Sequence, residues 1–379
     1  PAPPGRSSQI DMEWAGCYEA AKANGVKGGI PQIAALRAQL QDGNKKTADA
    51  RVEALGELVK LCELGASVEP FVVPLLTDVL RCLADKAKPV QEAAAPCLEG
   101  IIGVLSAGGV KVALPLLLER LDQNEKFQTI EASLKLMTKL CGSNPVQIGY
   151  FMTDIVRQVS QLMSDAKAQV RNAALATMRA AAGTIDNKDL VPLIPIILTA
   201  IKDVEKVPEC CQEMAAVVFV SNVTSPALGL VVPLLLRGLK TKQTVTKRQC
   251  AVITSNMSKL VENPSEAAPF LPLLLPELER AAVEVSDPEA RGVCHKAFLQ
   301  LQRIQSHYEK NPLKAAEVDV LAKTLEGKAG KVEPTLLNYA ATVCAALCDV
   351  QDMGADAWAA AVTPYLAAAG VNAGKASAA

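Results

Sequence analysis

The sequence has few of the residues from which metal sites and many catalytic sites are built. Aromatic residues make up 3% of the 379 positions, and the only histidines are His295 and His307. The eleven cysteines include no CxxC pair, whereas a zinc site needs thiolates or imidazoles clustered at short spacing. We therefore expect reduced, buried thiols in a cytosolic protein rather than metal ligands or disulfides.

The chain also lacks an excess of charge of either sign and a long apolar run. Its 39 basic residues are balanced by 40 acidic ones, so any attraction to nucleic acid has to be local. The apolar run "LVPLIPIILTAI" (190–201) ends at Lys202 and is shorter than the roughly 18 residues that span a bilayer. The start, "PAPPGRSSQI", lacks the apolar region of a signal peptide. These absences predict a soluble, cytoplasmic protein with no membrane partner.

What the chain does contain is a repeated apolar pattern. Half of the residues are apolar, and Ala and Leu, which favour helices, outnumber the residues that favour sheets. One kind of segment recurs, a proline within an apolar run, as in "VALPLLLERLD" (112–122) and "LVVPLLLRGLK" (230–240). When a copy without proline at 150–165 is counted, the period is about 40 residues, which is typical of two-helix HEAT units. The marker prolines are Pro74, Pro115, Pro192, Pro233 and Pro272.

Each marked helix is followed by an aspartate-containing turn and a second helix. In "LMSDAKAQVRNAALATM" (162–178) the apolar spacing of three and four residues includes Val170, Ala174 and Met178. We expect Asp165 to N-cap this second helix, and each marker proline to lie in the first turn of its own helix. The segment "PECCQEMAAVVFVSNV" (208–223) is expected to form another second helix. The turn aspartates are Asp85, Asp122, Asp165, Asp203 and Asp287.

The repeated hairpin predicts the fold class. A single hairpin cannot bury both of its apolar faces, so successive hairpins have to stack side by side. The sequence therefore predicts an all-α protein, an α-solenoid of HEAT repeats followed by a partial helical bundle. We assign an N-terminal extension to residues 1–29, the solenoid to 30–305, a polar linker to 306–330 and the partial bundle to 331–379.

No group of residues predicts catalysis. The segment "GVNAGKAS" (370–377) differs from a phosphate-binding loop because three residues separate its glycines and Ala376 follows Lys375. Cys294 and His295 are adjacent on a predicted helix, where neighbouring side chains point in different directions. Cys210 and Cys211 are interpreted as core neighbours rather than a redox pair. We expect no catalytic, cofactor-binding or metal-binding residue in this chain, so enzymatic activity is not assigned to it.

Surface charge provides the candidate site. The segment "KTKQTVTKR" (240–248) spans one inter-helix turn and contains no acidic residue. Turns of successive repeats align along one edge of a solenoid, so basic turns can form a stripe that binds phosphates. Two interpretations stay open, a binding stripe or a row of solvated helix starts. The candidate residues for binding RNA or the ribosome are Lys240, Lys242, Lys247 and Arg248, with Lys167, Arg171, Lys202 and Lys206 in the two preceding repeats.

The amino-acid sequences of several segments are more specific than the general pattern of a HEAT repeat. "VPECCQEMAAVVFVSNVTSPALGLVVPLLLRGL" and "SDPEARGVCHKAFLQL" closely resemble the amino-terminal HEAT domain of fungal-type translation elongation factor 3, of the ABC-F family. The resemblance is dense over 164–304, looser over 30–140, and resumes at "EPTLLNYAATVCAAL", which resembles the start of that family's four-helix bundle.

This resemblance implies a cytosolic module that docks on ribosomal RNA and proteins, with other elongation factors as further partners. It also implies a role in the ATP-driven release of deacylated tRNA from the exit site. The ATP and Mg²⁺ of that reaction would be held by ABC cassettes, and the sequence contains no Walker A motif or ABC signature. No cofactor is therefore expected in this chain. The alternative is a HEAT scaffold of another large assembly, such as a ribosome sensor of the starvation response or a cytoskeletal or transport complex.

Overall fold

The computed structural model describes residues 30–122 and 124–310, and within those ranges the chain forms helices, short 3-10 turns and loops, with no β-strand. The prediction of an all-α fold is thus confirmed. The described α-helices are α1 (Ile30–Gln41), α2 (Ala48–Cys62), α3 (Glu69–Val72), α4 (Leu76–Cys82), α5 (Lys88–Gly103), α6 (Ala107–Glu119), α7 (Phe127–Ser143), α8 (Pro145–Tyr150), α9 (Met152–Leu162), α10 (Ala168–Ala182), α11 (Ile194–Lys202), α12 (Val207–Ala216), α13 (Ser225–Lys240), α14 (Thr244–Ser258), α15 (Pro264–Ala267), α16 (Leu271–Glu284) and α17 (Pro288–Lys310).

The described residues belong to two compact units, which divide between residues 140 and 141. In the first unit, α4 and α5 form a helical hairpin, and α5 packs against α2, the second helix of the preceding hairpin. Fully buried aliphatic side chains such as Leu58, Leu80 and Ile101 fill the space between these helices. Each such side chain contributes about 1.5–3 kcal/mol by leaving water, so the apolar faces are what hold neighbouring hairpins together.

The second unit shows the stacking of a HEAT array clearly. The second helices α12, α14 and α17 pack side by side, and the first helices α9, α13 and α16 do the same. Helix α13 has neighbours on most of its circumference, and its buried residues include Leu230, Val231 and Leu234. The predicted HEAT-repeat solenoid class is therefore the observed one.

Helix ends in the second unit are capped by the neighbouring repeat. The Arg237 guanidinium of α13 donates from Nη1 to the carbonyl oxygens of Ala200 (3.3 Å) and Ile201 (2.6 Å), near the C-terminal end of α11. The backbone N–H of Ser225, the first residue of α13, donates to Glu266 Oε2 at 2.5 Å. Carbonyl oxygens at the C-terminal end of α11 and an N–H group at the N-terminal end of α13, which lack partners within their own helices, are therefore bonded by residues 36 to 41 positions away in sequence.

The marker prolines differ in position from the sequence expectation. Pro115 and Pro233 lie inside α6 and α13, because those helices begin well upstream, at Ala107 and Ser225. Only the remaining three markers lie near a helix start, where the absent N–H costs no helical hydrogen bond. Those three are Pro74 in the 3-10 turn Val73–Leu75, Pro192 in the 3-10 turn Val191–Leu193 and Pro272 at the start of α16.

Asp165 does not N-cap α10, so that prediction was wrong. The N-cap residue is Lys167, and Asp165 Oδ1 instead accepts the Lys167 backbone N–H at 2.7 Å. Asp85 bonds the Ala87 N–H before α5 in the same way, at 2.8 Å. Asp287 does cap a helix, since it directly precedes α17 and accepts from the N–H groups of Glu289 and Ala290. The turn aspartate thus has two structural roles, depending on how far downstream the helix begins.

The second helix predicted for 208–223 is shorter than expected. Helix α12 ends at Ala216, and residues 217–223 are not helical. Two side chains from the loop between α10 and α11 bind this segment. Asp189 Oδ2 accepts the N–H groups of Val220 (2.8 Å) and Ser221 (2.7 Å), and Asn187 donates to the Asn222 carbonyl oxygen at 3.0 Å. The β-branched residues here favour the extended backbone that these bonds require.

Some sequence predictions lie outside the described residues. These are the N-terminal extension at 1–29, the partial bundle at 331–379, the segment 370–377 and the linker beyond residue 310. Helix α17 continues to Lys310, so the first residues of the predicted linker are helical.

Candidate nucleic-acid interface

Three inter-helix turns of the second unit lie next to one another. We name them the 203 turn (residues 203–206, between α11 and α12), the 241 turn (241–243, between α13 and α14) and the 285 turn (285–287, between α16 and α17). Arg237 joins the 203 and 241 turns, because it bonds the last turn of α11 from the last turn of α13. Arg248 joins the 241 and 285 turns through an ion pair with Glu289. The expected alignment of turns along one edge is therefore present for these three.

In the structure, acidic residues of the next repeat lie beside the basic segment 240–248. Lys240 Nζ lies 3.5 Å from Glu277 Oε1, and Arg248 Nη2 lies 2.5 Å from Glu289 Oε1. Both glutamates come from the next repeat, on α16 and α17. The segment 240–248 contains no acidic residue, yet two of its four cations have carboxylate partners.

Of the four cations in segment 240–248, Lys242 and Lys247 form no ion pair with the described residues. Lys242 is exposed, whereas Lys247 is half-buried on α14. Burial raises the pKa of the nearby Cys294 thiol, and the positive charge of Lys247 offsets part of that increase. Lys242 is thus the more accessible of these two charges, and Lys247 is a half-buried cation at the start of α14.

The 203 turn carries more acid than base. Lys206 Nζ lies 3.0 Å from Glu209 Oε2, and this hydrogen bond, with the charge of Glu209, raises the pKa of Lys206. Asp203 and Glu205 also act on Lys206, so this lysine is influenced by two carboxylates of the turn and by Glu209 at the start of α12. Lys202 is exposed at the end of α11. This turn therefore adds little positive potential to the edge.

The earlier turn, between α9 and α10, uses its arginine to hold its own backbone. Arg171 is half-buried and donates from Nη1 to the Asp165 carbonyl oxygen at 2.8 Å. Arg291 on α17 bonds the carbonyl oxygens of Val285 (2.8 Å) and Ser286 (3.0 Å) at the same sequence offsets. Lys167, the N-cap residue of α10, is exposed. Of the two residues predicted in this turn, Lys167 projects outward and Arg171 stabilises the turn.

The sequence contains a signal for this structural arginine. Arg171 and Arg291 each follow the first buried residue of a second helix, Val170 and Ala290. Lys247 follows the buried Thr246 in the same register, which explains why it is half-buried. The residues that sequence reasoning missed are Arg237, Glu277 and Glu289, because each acts on a turn of another repeat.

The described residues contain no alternative centre of chemistry. No group of three or more His, Cys, Asp or Glu side chains within 30–122 and 124–310 could hold a metal ion. His295 is exposed and stacks on Phe298, with ring centroids 6.3 Å apart, while Cys294 is buried. The two side chains therefore point apart, as the sequence predicted. No helix in the described part of the chain combines the length and low polarity needed to cross a bilayer.

The stacked helical hairpins and their adjacent turns define a HEAT-repeat protein. Comparison with known proteins specifies the family. Residues 15–178 match the family described as EF3 N-terminal HEAT repeat, and residues 205–312 match the family described as elongation factor 3/GNC1 HEAT repeat. The chain therefore belongs to the family of HEAT-repeat domains found at the amino terminus of elongation factor 3.

Individual relatives agree with this assignment. Elongation factor 3 of Candida albicans is 34% identical over 339 residues, covering 87% of this chain and 32% of the relative. Elongation factor 3A of Saccharomyces cerevisiae is 33% identical, covering 85% and 32%. Elongation factor 3 of Phytophthora infestans is 37% identical, covering 66% and 24%. The chain thus spans about a third or less of the length of these curated relatives.

Among solved structures, a designed armadillo repeat protein covers 71% of this chain at 14% identity and a TM-score of 0.27. A score this low does not by itself define the fold.

Proposed function

We propose that this chain is the ribosome-binding HEAT module of an elongation-factor-3-like protein. In the whole protein it would support the ATP-driven release of deacylated tRNA from the exit site. ATP and Mg²⁺ would be handled by ABC cassettes, whose motifs these 379 residues do not contain. The observation that carries the proposal is the family match, which extends along both compact units.

The proposed contact surface is the 241 turn, with Lys242 at its centre and Lys247 next to it. An exposed lysine that has no carboxylate partner can neutralise a phosphate without first losing an ion pair. Lys240 and Arg248 lie on either side, and their ion pairs are partly exposed. Exposed pairs of this kind are worth about 0–1 kcal/mol, so both cations can exchange a carboxylate for a phosphate at small cost.

The other predicted residues contribute to different degrees. Lys167 and Lys202 are exposed and extend the surface towards earlier repeats. Lys206 and Arg171 are assigned supporting roles instead, because Lys206 is bound to Glu209 and Arg171 is bound to its own turn. The proposal therefore concentrates binding at one turn rather than along a uniform stripe.

The test compares two lysines in neighbouring turns that undergo the same charge change. Lys242→Glu should weaken ribosome binding several-fold and lower the slope of log affinity against log salt by about one, since one phosphate contact is lost. Lys206→Glu is the matched control and should have less than half of that effect. Co-sedimentation with purified ribosomes at several salt concentrations measures both quantities.

Equal effects of the two variants would contradict a localised contact and indicate a general electrostatic attraction. Unchanged binding in both variants would mean that the 241 turn is a solvated turn. A wild-type chain that fails to sediment with ribosomes but sediments with tubulin polymer would favour the scaffold alternative over the ribosomal one.

A further inference from the structure

Two cysteines of the second unit meet in the core between consecutive repeats. Cys211 on α12 and Cys250 on α14 place their Sγ atoms 3.4 Å apart, and both side chains are fully buried. The residues are 39 positions apart and lie on neighbouring second helices. Their contact therefore joins one repeat to the next.

A glycine of a third helix makes room for the two sulfurs. A Cβ atom at Gly238 of α13 would lie 2.3 Å from Cys250 Sγ and 3.3 Å from Cys211 Sγ. Real side chains do not approach a sulfur this closely, so any larger residue at 238 would have to displace the pair. Gly238 is also at the C-terminal end of α13, directly before the 241 turn. The sulfur pair thus lies beneath that turn.

The environment distinguishes this pair from the other thiols. Burial alone raises the pKa of Cys62 to about 11. Cys211 and Cys250 instead share a hydrogen bond, which lowers the pKa of Cys211 and raises that of Cys250. The adjacent Cys210 is also buried, and burial raises its pKa to about 12. Cys211 is therefore the better nucleophile of the two neighbours on α12.

We propose that Cys211 and Cys250 are an oxidative modification site, which a peroxide converts into a disulfide joining α12 to α14. The sulfurs need to approach by only about 1.4 Å to reach the length of an S–S bond. No metal site competes for them, since the described residues include no group of three or more ligands.

The chemistry balances with one hydrogen peroxide as the oxidant. The Cys211 thiolate attacks one peroxide oxygen, the O–O bond breaks, and the departing hydroxide takes the proton of Cys250. The Cys250 thiolate then attacks the sulfur of the Cys211 sulfenic acid, the S–S bond forms, and the hydroxyl group leaves as water after taking up the proton that Cys211 released to solvent on ionising. Two thiols lose two electrons, and the peroxide is reduced to two waters. A dithiol reductant reverses the modification by exchange.

Access to the pair requires local opening, and α12 is the element that can open. It has only 10 residues, and the non-helical segment 217–223 follows it. In that segment Val218 is 80% exposed and Val220 is 72% exposed, whereas Phe219 and Val223 are buried and Asp189 and Asn187 bond its backbone, so opening has to release those contacts as well. Local opening of one short helix costs less free energy than unfolding the whole domain. The disulfide would then fix α12 to α14 and restrict movement between the two repeats.

The experiment identifies the cross-link by mass. The whole chain is treated with hydrogen peroxide under native conditions, free thiols are blocked with N-ethylmaleimide in denaturant, and the protein is digested with trypsin without reduction. Cleavage yields the peptides 207–237 and 249–259, which contain Cys211 and Cys250 respectively. We expect these peptides to appear linked, with one N-ethylmaleimide group on Cys210 and a mass about 2 Da below the sum of the two peptides and that group, and to separate on reduction.

Matched variants assign the bond to the correct sulfur. Cys210 lies in the same tryptic peptide, so Cys210→Ala should retain the cross-link and Cys211→Ala should abolish it. Gly238→Ala should reduce its yield, because the added methyl group pushes the Cys250 sulfur away. In the wild type, oxidation should raise the thermal midpoint of the second unit by about 5–10 °C.

Two results would overturn the proposal. One is the absence of the linked peptides when the same peroxide treatment oxidises methionines of the folded chain. The other is loss of the cross-link in Cys210→Ala with retention in Cys211→Ala, which would assign the reaction to the other neighbour. If a variant fails to fold, the wild-type peptide map and its midpoint shift still decide the question.

Discussion

The two compact units handle charge in opposite ways. Among the described residues of the first unit, four charged side chains are buried, Arg51, Glu69, Asp78 and Lys111. In the described residues of the second unit, 141–310, the buried polar side chains are all uncharged, such as Thr177, Asn187 and Thr254. A buried charge is costly to desolvate and must keep its partner, whereas a surface charge can exchange one partner for another. The described part of the first unit therefore uses charge to fix its fold, whereas that of the second keeps its charged side chains at the surface, where they can exchange partners.

The largest loss of stability is expected from removing the buried arginine of the first unit. Arg51 is 1% exposed, its Nε lies 3.0 Å from Asp85 Oδ2, and its guanidinium also bonds the Asp42 and Asn44 carbonyl oxygens. Arg51→Ala should lower the free energy of unfolding by about 3–5 kcal/mol, because Asp85 is left desolvated without its partner. Urea denaturation followed by circular dichroism measures the change.

The control for Arg51 is an exposed pair in the second unit. Arg157 lies 2.8 Å from Asp154, and both side chains are about half exposed or more. Arg157→Ala should change the free energy of unfolding by no more than about 1 kcal/mol. Comparable losses in the two variants would mean that burial does not distinguish the units.

A smaller effect is expected from a glycine that faces a buried carboxylate. A Cβ at Gly109 of α6 would lie 1.3 Å from Glu69 Oε1, and that oxygen accepts from the Ser106 N–H (3.2 Å) and hydroxyl (3.0 Å). Gly109→Ala should therefore displace Glu69 and cost about 1–3 kcal/mol of stability. Gly56→Ala, at a mid-helix glycine of α2 with open space around it, should instead stabilise by about 0.5–1 kcal/mol. A shift of the same sign in both variants, seen in thermal melts, would refute the assigned contact.

The smallest effect separates the two kinds of turn aspartate. Asp287→Ala removes acceptors from two N–H groups at the start of α17 and should cost about 1 kcal/mol. Asp165→Ala removes a single bond to Lys167 in an exposed turn and should cost about half as much or less. Chemical denaturation of both variants under one set of conditions provides the comparison. An equal or larger loss for Asp165 would restore it as the principal capping residue.

Periodicity was enough to predict the repeats, but not the contacts between them. The spacing of the marker prolines predicted stacked hairpins, and apolar spacing placed Val170 and Met178 in the core, where they are found. The 241 turn was identified as basic from residues 240–248 alone. Its partners Glu277 and Glu289 lie outside that window, and only the stacking of the next repeat brings them to the turn. The early end of α12 was missed for a similar reason, since Asp189 binds the backbone 31 and 32 residues further along.

The caps that each repeat supplies to its neighbour limit how this protein can be cut and recombined. In an array of self-contained modules, one hairpin can be deleted or spliced into another protein without harm to those beside it. Here a deletion that removed Arg237 would leave the end of α11 with uncapped carbonyl groups, and one that removed Glu266 would expose the first N–H of α13. The smallest portion of the second unit that can be transplanted intact is therefore a run of adjoining hairpins, and those hairpins unfold cooperatively.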